Sequence, residues 1–151
     1  MRPTPPKDLA FEERVRASFA RQGLMTTLGA SLAQVRPGAV EIVLAPSPAA
    51  SQQHGFVHGG AVASIADSAA GYAGLSLMAS GTGVLTVEFK INFLAPAIGD
   101  RLRASGRVLK SGRTLLLAQA EVFAERGDEA ALVALLTATM MTVEGRADIS
   151  D

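Results

Sequence analysis

The chain has no cysteine and no tryptophan, and only one tyrosine and two histidines, among 151 residues. Without cysteine there is no disulfide framework, no thiolate nucleophile and no cysteine-ligated zinc or iron–sulfur site. Two histidines make a poor donor set on their own, so no metal site is expected. Charge of one sign is missing as well: 14 Lys and Arg balance 14 Asp and Glu, which removes the net field that draws nucleic acid. No stretch reaches the ~18 unbroken apolar residues of a spanning helix. The opening Met1-Arg2-Pro3-Thr4-Pro5-Pro6-Lys7-Asp8 lacks the apolar segment of a secretory signal. These absences lead to the expectation of a cytoplasmic chain with neither a nucleic-acid nor a membrane partner.

What is present suffices for one domain. Hydrophobic residues make up 48% and charged residues 19%, an ordinary globular balance in a chain long enough to bury a core. Residues 1–10 read as a flexible, proline-rich lead-in, 11–144 as a single domain and 145–151 as a C-terminal tail. Phe11, Val15, Ser18 and Phe19 fall at helical spacing before Gly23, so a short amphipathic helix is expected from Phe11 to Gln22, across the outside of the core. From Met25 the pattern changes to strand-like runs, Leu28 to Val35 and Ala39 to Ala45, separated by the turn signal Arg36-Pro37-Gly38. A loop from Pro46 to Val57 follows.

Gly60 to about Ser80 contains no proline and many alanines. The spacing of Val62, Ile65, Ala66, Ala69, Tyr72, Ala73 and Leu77 predicts one long buried helix. Gly71 and Gly74 within it suit close approach by another element. Beyond Gly83 everything reads as strand. Leu85, Val87, Phe89, Ile91 and Phe93 alternate with Thr86, Glu88, Lys90 and Asn92. Arg101 to Lys110, Arg113 to Ala124 and Ala130 to Val143 complete the set, and the short glycine-containing turns between them fit antiparallel neighbours. The fold class is α+β, with about six antiparallel strands curled around one long helix.

The chemistry-bearing segment is Gln52-Gln53-His54-Gly55-Phe56-Val57-His58-Gly59-Gly60, which opens that helix, with Asp67 further along it. A helix start offers unpaired N–H groups and the positive end of the macrodipole, a natural place for an oxyanion or a polarised carbonyl. His-Gly-Gly also serves as a plain tight turn. Asp67 stands among small and apolar neighbours, where burial of a carboxylate is costly unless compensated or its pKa rises. It reads either as a desolvated base or nucleophile or as a hydrogen-bonded helix aspartate. Gly60 and Asp67 share a helix face but stand ~10.5 Å apart along the axis. One reacting carbonyl cannot touch both within a chain. Two antiparallel helices related by a twofold would bring each helix start to the other chain's Asp67.

Gly55-Phe56-Val57-His58-Gly59-Gly60, Asp67, Gly71-Tyr72-Ala73 and Thr86-Val87-Glu88-Phe89-Lys90-Ile91-Asn92-Phe93-Leu94-Ala95-Pro96 together resemble the signature of the hotdog-fold thioesterase superfamily, specifically PaaI-like acyl-CoA thioesterases. The resemblance runs from about Leu24 to Val143. It implies a sheet wrapped around the central helix, a homodimer or dimer of dimers, and hydrolysis of an acyl-CoA to free acid and coenzyme A. Coenzyme A is then part of the substrate, and no separate cofactor is implied. By the same resemblance the N–H of Gly59 or Gly60 polarises the thioester carbonyl, His58 shapes the loop, Asp67 of the neighbouring subunit activates water or attacks, and Thr86 holds the water or the carboxylate. Many relatives carry Asn where this chain has Gln52, one methylene longer but still a donor.

His54, Gly55, Phe56 and Val57 are candidate substrate-binding residues of the loop, although His54 equally suits a solvated position. Coenzyme A needs positive charge, and Lys90, Lys110 and Arg113 are candidates for it, with Lys110-Ser111-Gly112-Arg113 a basic turn able to hold phosphate. Arg101, Arg103 and Arg107 lie nearby in sequence, yet exposed strand charges commonly serve solubility. Phe56, Val57, Tyr72, Leu75, Leu77 and Met78 are candidates for an acyl pocket or for ordinary core. The competing function is a non-catalytic acyl-CoA binding or sensing protein on the same scaffold, and a hydratase is a third.

Overall fold

The structure, a computed structural model, describes residues 4–151; residues 1–3 of the expected lead-in lie outside them. Two short helices open the chain, α1 (Phe11–Ala20) and α2 (Gly23–Leu28), followed by strands β1 (Ala30–Arg36) and β2 (Ala39–Leu44). The long helix α3 (Gly59–Leu75) comes next, then strands β3 (Gly83–Phe93), β4 (Arg101–Ser111), β5 (Leu115–Arg126) and β6 (Glu129–Val143). All six strands form one antiparallel sheet in the order β1-β2-β4-β5-β6-β3. The expected α+β class, strand number and helix insertion after the second strand are all observed.

α3 touches every strand, most heavily β4 and β2. Ile65, Ala66, Ala69, Ala70, Ala73 and Leu75 are fully buried along it, which accounts for its alanine content: small side chains let the helix settle close to the sheet. The closest approach belongs to Gly106 of β4, where a Cβ would fall 2.3 Å from the carbonyl carbon and oxygen of Ala69. Gly74 makes room for Leu116, 2.9 Å from its notional Cβ. Gly71 has only Met140 within 4 Å, at 3.9 Å, so of the two helix glycines only Gly74 is needed for packing.

Two boundaries differ from expectation. The segment after Gly23 is a six-residue helix, and the first strand begins at Ala30, beyond Gly29, whose φ of 74° closes α2 in the left-handed conformation. Met25 is the one buried residue of α2, so there is no periodicity to read. α3 stops at Leu75, short of Ser80, where its end is capped from elsewhere. The guanidinium of Arg14 on α1 donates to the carbonyl oxygens of Leu75, Met78 and Ala79 at 3.0, 2.8 and 2.5 Å. Ser76 Oγ accepts from Gly38 N–H at 2.8 Å. The Arg14 bonds satisfy the carbonyl of Leu75 and two carbonyls just beyond the helix end.

The C-terminal residues fold back onto the domain: Ile149 packs on Gly83, and Asp151 N–H donates to Thr82 O at 3.2 Å. Among the described residues, strand β3 has a neighbour on one side only, β6. Its apolar residues remain uncovered, with Leu85 43%, Val87 57%, Phe89 43% and Phe93 55% exposed.

Candidate active site

Asp67 sits half-buried in the middle of α3. Its carboxylate accepts a hydrogen bond from Thr86 Oγ1 at 2.8 Å. Burial raises its pKa above the ordinary aspartate value, and the Thr86 hydroxyl partly offsets that rise. Simple alternation places Thr86 on the polar face of β3 with Glu88 and Lys90, away from the helix. A bulge between Thr86 and Glu88 changes this. Before it, Thr86 lies opposite the buried Met140; after it, Phe89, Ile91 and Phe93 lie opposite the buried Ala138, Leu136 and Ala134. The extra residue, Val87, lets Thr86 and the later apolar residues share the helix-facing side.

The start of α3 is built by His58. Its backbone N–H donates to Ala50 O at 2.8 Å, and its Nδ1 accepts from Gly60 N–H at 2.8 Å, which puts any ring proton of the neutral form on Nε2. His58 therefore acts as the N-cap and leaves one candidate oxyanion donor occupied. Gly59 N–H has no hydrogen-bond partner among the described residues. A Cβ on Gly59 would lie 3.2 Å from the Phe93 ring, so glycine lets Phe93 pack against the helix start.

Gln52 and Phe56 close the preceding loop through Gln52 N–H to Phe56 O at 2.8 Å, with Gly55 N–H to Gln52 O at 3.0 Å. The Gln52 side-chain oxygen accepts from His54 N–H, which leaves its amide NH₂ as the group able to reach outward. Gly55 has φ +85°, the left-handed conformation that the turn requires, and nothing lies within 4 Å of a notional Cβ. His54 is exposed, beside Gln53.

These groups fall into two separate cavities. One, about 490 Å³, holds Asp67 and Thr86 and extends to Tyr72, Ser18 and Gln22. The other, about 370 Å³, holds Gly59, Gln52, Phe56, Val57 and Phe93. Asp67 and Gly59 share neither, as expected from ~12 Å of helix between them. Leu75, Leu77 and Met78 are buried and line neither cavity, so of the six acyl-pocket candidates only Phe56, Val57 and Tyr72 qualify.

The basic residues separate too. Arg101 and Arg103 both bind Glu125, at 2.5 and 2.7 Å, and Arg103 also reaches Glu41. Together the two arginines hold the Glu125 carboxyl below its usual range. Arg107 donates to Gln119 at 2.6 Å. Lys90, Lys110 and Arg113 make no ion pair with the described residues, and none of them lines either cavity. Lys110 and Gly112 border a shallower groove of about 240 Å³. Gly112 N–H donates to Leu115 O at 2.9 Å, and this bond closes the turn containing Ser111 and Arg113.

A family model of the thioesterase superfamily matches residues 54–131, which include the end of the loop from His54, the helix start, Asp67 and Thr86. The chain belongs to the thioesterase superfamily. Among solved structures, a thioesterase family protein from Silicibacter pomeroyi is 48% identical over 89% of this chain and 99% of its own, with a TM-score of 0.87. The PaaI protein of the phenylacetic acid degradation operon of E. coli shares the fold at 23% identity, covering 89% and 94% of the two chains with a TM-score of 0.80. The thioesterase HI1161 from Haemophilus influenzae does so at 18% identity, covering 93% and 95% with a TM-score of 0.79. No curated protein sequence matches the chain. Within this thioesterase fold, Ser18, Gln22 and Asp151 join the Asp67 cavity without any signal in the sequence, because α1 and the C-terminal residues reach it only through tertiary folding.

Proposed function

We propose that the chain hydrolyses acyl-CoA thioesters in the cytoplasm, as a homodimer with two composite sites. The observation that carries this reading is the separation of Asp67 and the free Gly59 N–H into two cavities at opposite ends of β3, whose outer edge is unpaired. Antiparallel pairing of that edge with a second copy, centred on Lys90 so that the helix-facing residues of both copies share one face, sets Thr86 of one protomer across from Phe93 of its partner once the Val87 bulge is counted. The Asp67 cavity of each chain then meets the Gly59 cavity of the other, and the exposed Val87 and Phe89 are covered. A dimer of dimers extends the same arrangement.

In such a site the thioester oxygen accepts from Gly59 N–H at the positive end of the partner's helix. The neighbouring Asp67 takes a proton from water as the water oxygen bonds to the carbonyl carbon. The C–S bond then breaks, and the thiolate leaves as the thiol with that proton. If Asp67 attacks directly, the thiolate leaves as a mixed anhydride forms, and water opens the anhydride at the Asp67 carbonyl, leaving the new oxygen on Asp67. Single turnover in ¹⁸O-water labels the carboxylate of Asp67 only on the second route. Lys110 and Arg113, with no intramolecular ion pair, are suited to the phosphates of coenzyme A.

The test is release of free thiol from a panel of acyl-CoAs. Wild type should turn over at least one, and Asp67→Asn should lose about 10²–10⁴-fold in kcat while keeping its fold by circular dichroism. An unchanged rate removes Asp67 from the mechanism. Binding without thiol release from any member would replace hydrolysis by acyl-CoA sensing.

A further inference from the structure

The far end of the Asp67 cavity carries an unusual set of hydrogen-bonding groups. Tyr72 lies five residues beyond Asp67 on α3, ~7.5 Å along the axis, and its ring is held by Phe19 with centroids 5.8 Å apart. The phenol is almost fully buried, and burial raises its pKa, so it stays protonated at neutral pH.

Following each proton shows what is left over. Ser18 Oγ donates its one proton to Asp151 Oδ1 at 2.5 Å. Ser18 and Tyr72 are 3.3 Å apart, so the proton between them comes from the phenol. Gln22 Oε1 accepts from Ser68 Oγ at 2.9 Å, and Gln22 Nε2 donates one hydrogen to the phenol oxygen at 3.3 Å. The second hydrogen of Gln22 Nε2 and one lone pair of the Tyr72 oxygen remain, an adjacent donor and acceptor. A hydroxyl, which both donates and accepts, matches this pair. A methyl end would leave both groups dry.

Building on the proposed thioesterase activity, we infer that this cavity selects acyl groups bearing a neutral hydroxyl at their far end, with Tyr72 and Gln22 as specificity-determining residues. Neutrality follows from Asp151: its carboxylate already accepts from Ser18 and pairs with Arg21 at 3.1 Å. An acyl chain ending in carboxylate would place like charge beside it, while Arg21 already shares its charge with Asp151 through Nη2.

The experiment compares kcat/KM for hexanoyl-, 6-hydroxyhexanoyl- and adipyl-CoA. Wild type should favour the hydroxylated substrate over hexanoyl by about tenfold, and adipyl-CoA should be the poorest. Tyr72→Phe and, independently, Gln22→Leu should each bring the hydroxyhexanoyl-to-hexanoyl ratio down toward one. A ratio is immune to loss of folded protein, and Gln22, only half-buried, is open to substitution if the buried tyrosine is not. Turnover of hexanoyl-CoA with no preference for the hydroxyl, or a preference for adipyl-CoA, overturns this inference and leaves thioester hydrolysis standing. Failure to cleave any acyl-CoA overturns both.

Discussion

Thr86→Val isolates the hydroxyl that holds the carboxylate. Valine keeps the β-branched shape and strand preference of threonine, so β3 and its bulge should persist while the 2.8 Å hydrogen bond to Asp67 is lost. A hydrogen bond to an ionised group is worth about 1.5–3 kcal/mol. Asp67 is half exposed, so solvent screening favours the lower end, about 1.5 kcal/mol or roughly tenfold. The sign is set by which form the bond favours. Thr86 donates to the anion and lowers the pKa that burial raises; without it the pKa rises further. Asp67 acts as the anion, so the acid limb of kcat/KM should move to higher pH. Below that limb the variant should be slower than wild type by about tenfold, and the gap should narrow on the alkaline plateau, where both proteins carry ionised Asp67. Thiol release followed across the pH range measures this. Superimposed profiles, or a limb displaced to lower pH, would refute the role given to Thr86.

Gly106→Ala should force α3 off the sheet, since its Cβ would fall 2.3 Å from backbone atoms of Ala69. Overpacking of this kind costs about 1–3 kcal/mol, visible as a Tm lower by several degrees in calorimetry. Asp67→Asn should stabilise the fold near neutral pH, because Asp67 has a raised folded-state pKa and its ionised form is disfavoured by burial. Wild type should lose stability relative to the variant as pH climbs from the unfolded aspartate pKa through the raised folded value. Below that window the difference should vanish, and urea unfolding at several pH values reads it directly.

The parts legible in the sequence were those set by local pattern. The apolar spacing of Val62 to Ala73 marked α3, and the alternation from Leu85 to Phe93 marked β3, because both patterns are longer than a single turn or hairpin. The parts that escaped depend on distant partners. Where α3 ends, Arg14, some sixty residues earlier, takes the carbonyls of Leu75, Met78 and Ala79. α2 buries Met25 alone, and six residues carry no period. At the site, Asp67 and Gly59 stood out by chemistry, small neighbours around a carboxylate and glycines at a helix start. Thr86 was known only by resemblance, since strict alternation turns it away from Asp67 and only the bulge at Val87 brings it back. Tyr72 with Ser18, Gln22 and Asp151 joins three distant segments, a convergence no local window contains.

Subunit complementation addresses the shared site most directly. Asp67→Asn and Gly59→Val each disable one half of it, so both homodimers should be inactive. When the two are mixed under subunit exchange, a heterodimer joins the intact Asp67 of one chain to the intact Gly59 of the other at one of its two sites. Random pairing makes half the dimers mixed, so thiol release should recover to about one quarter of wild type. No recovery in a pool whose mixed dimers are confirmed by mass spectrometry, or full activity in either parent, would contradict a site built from two chains.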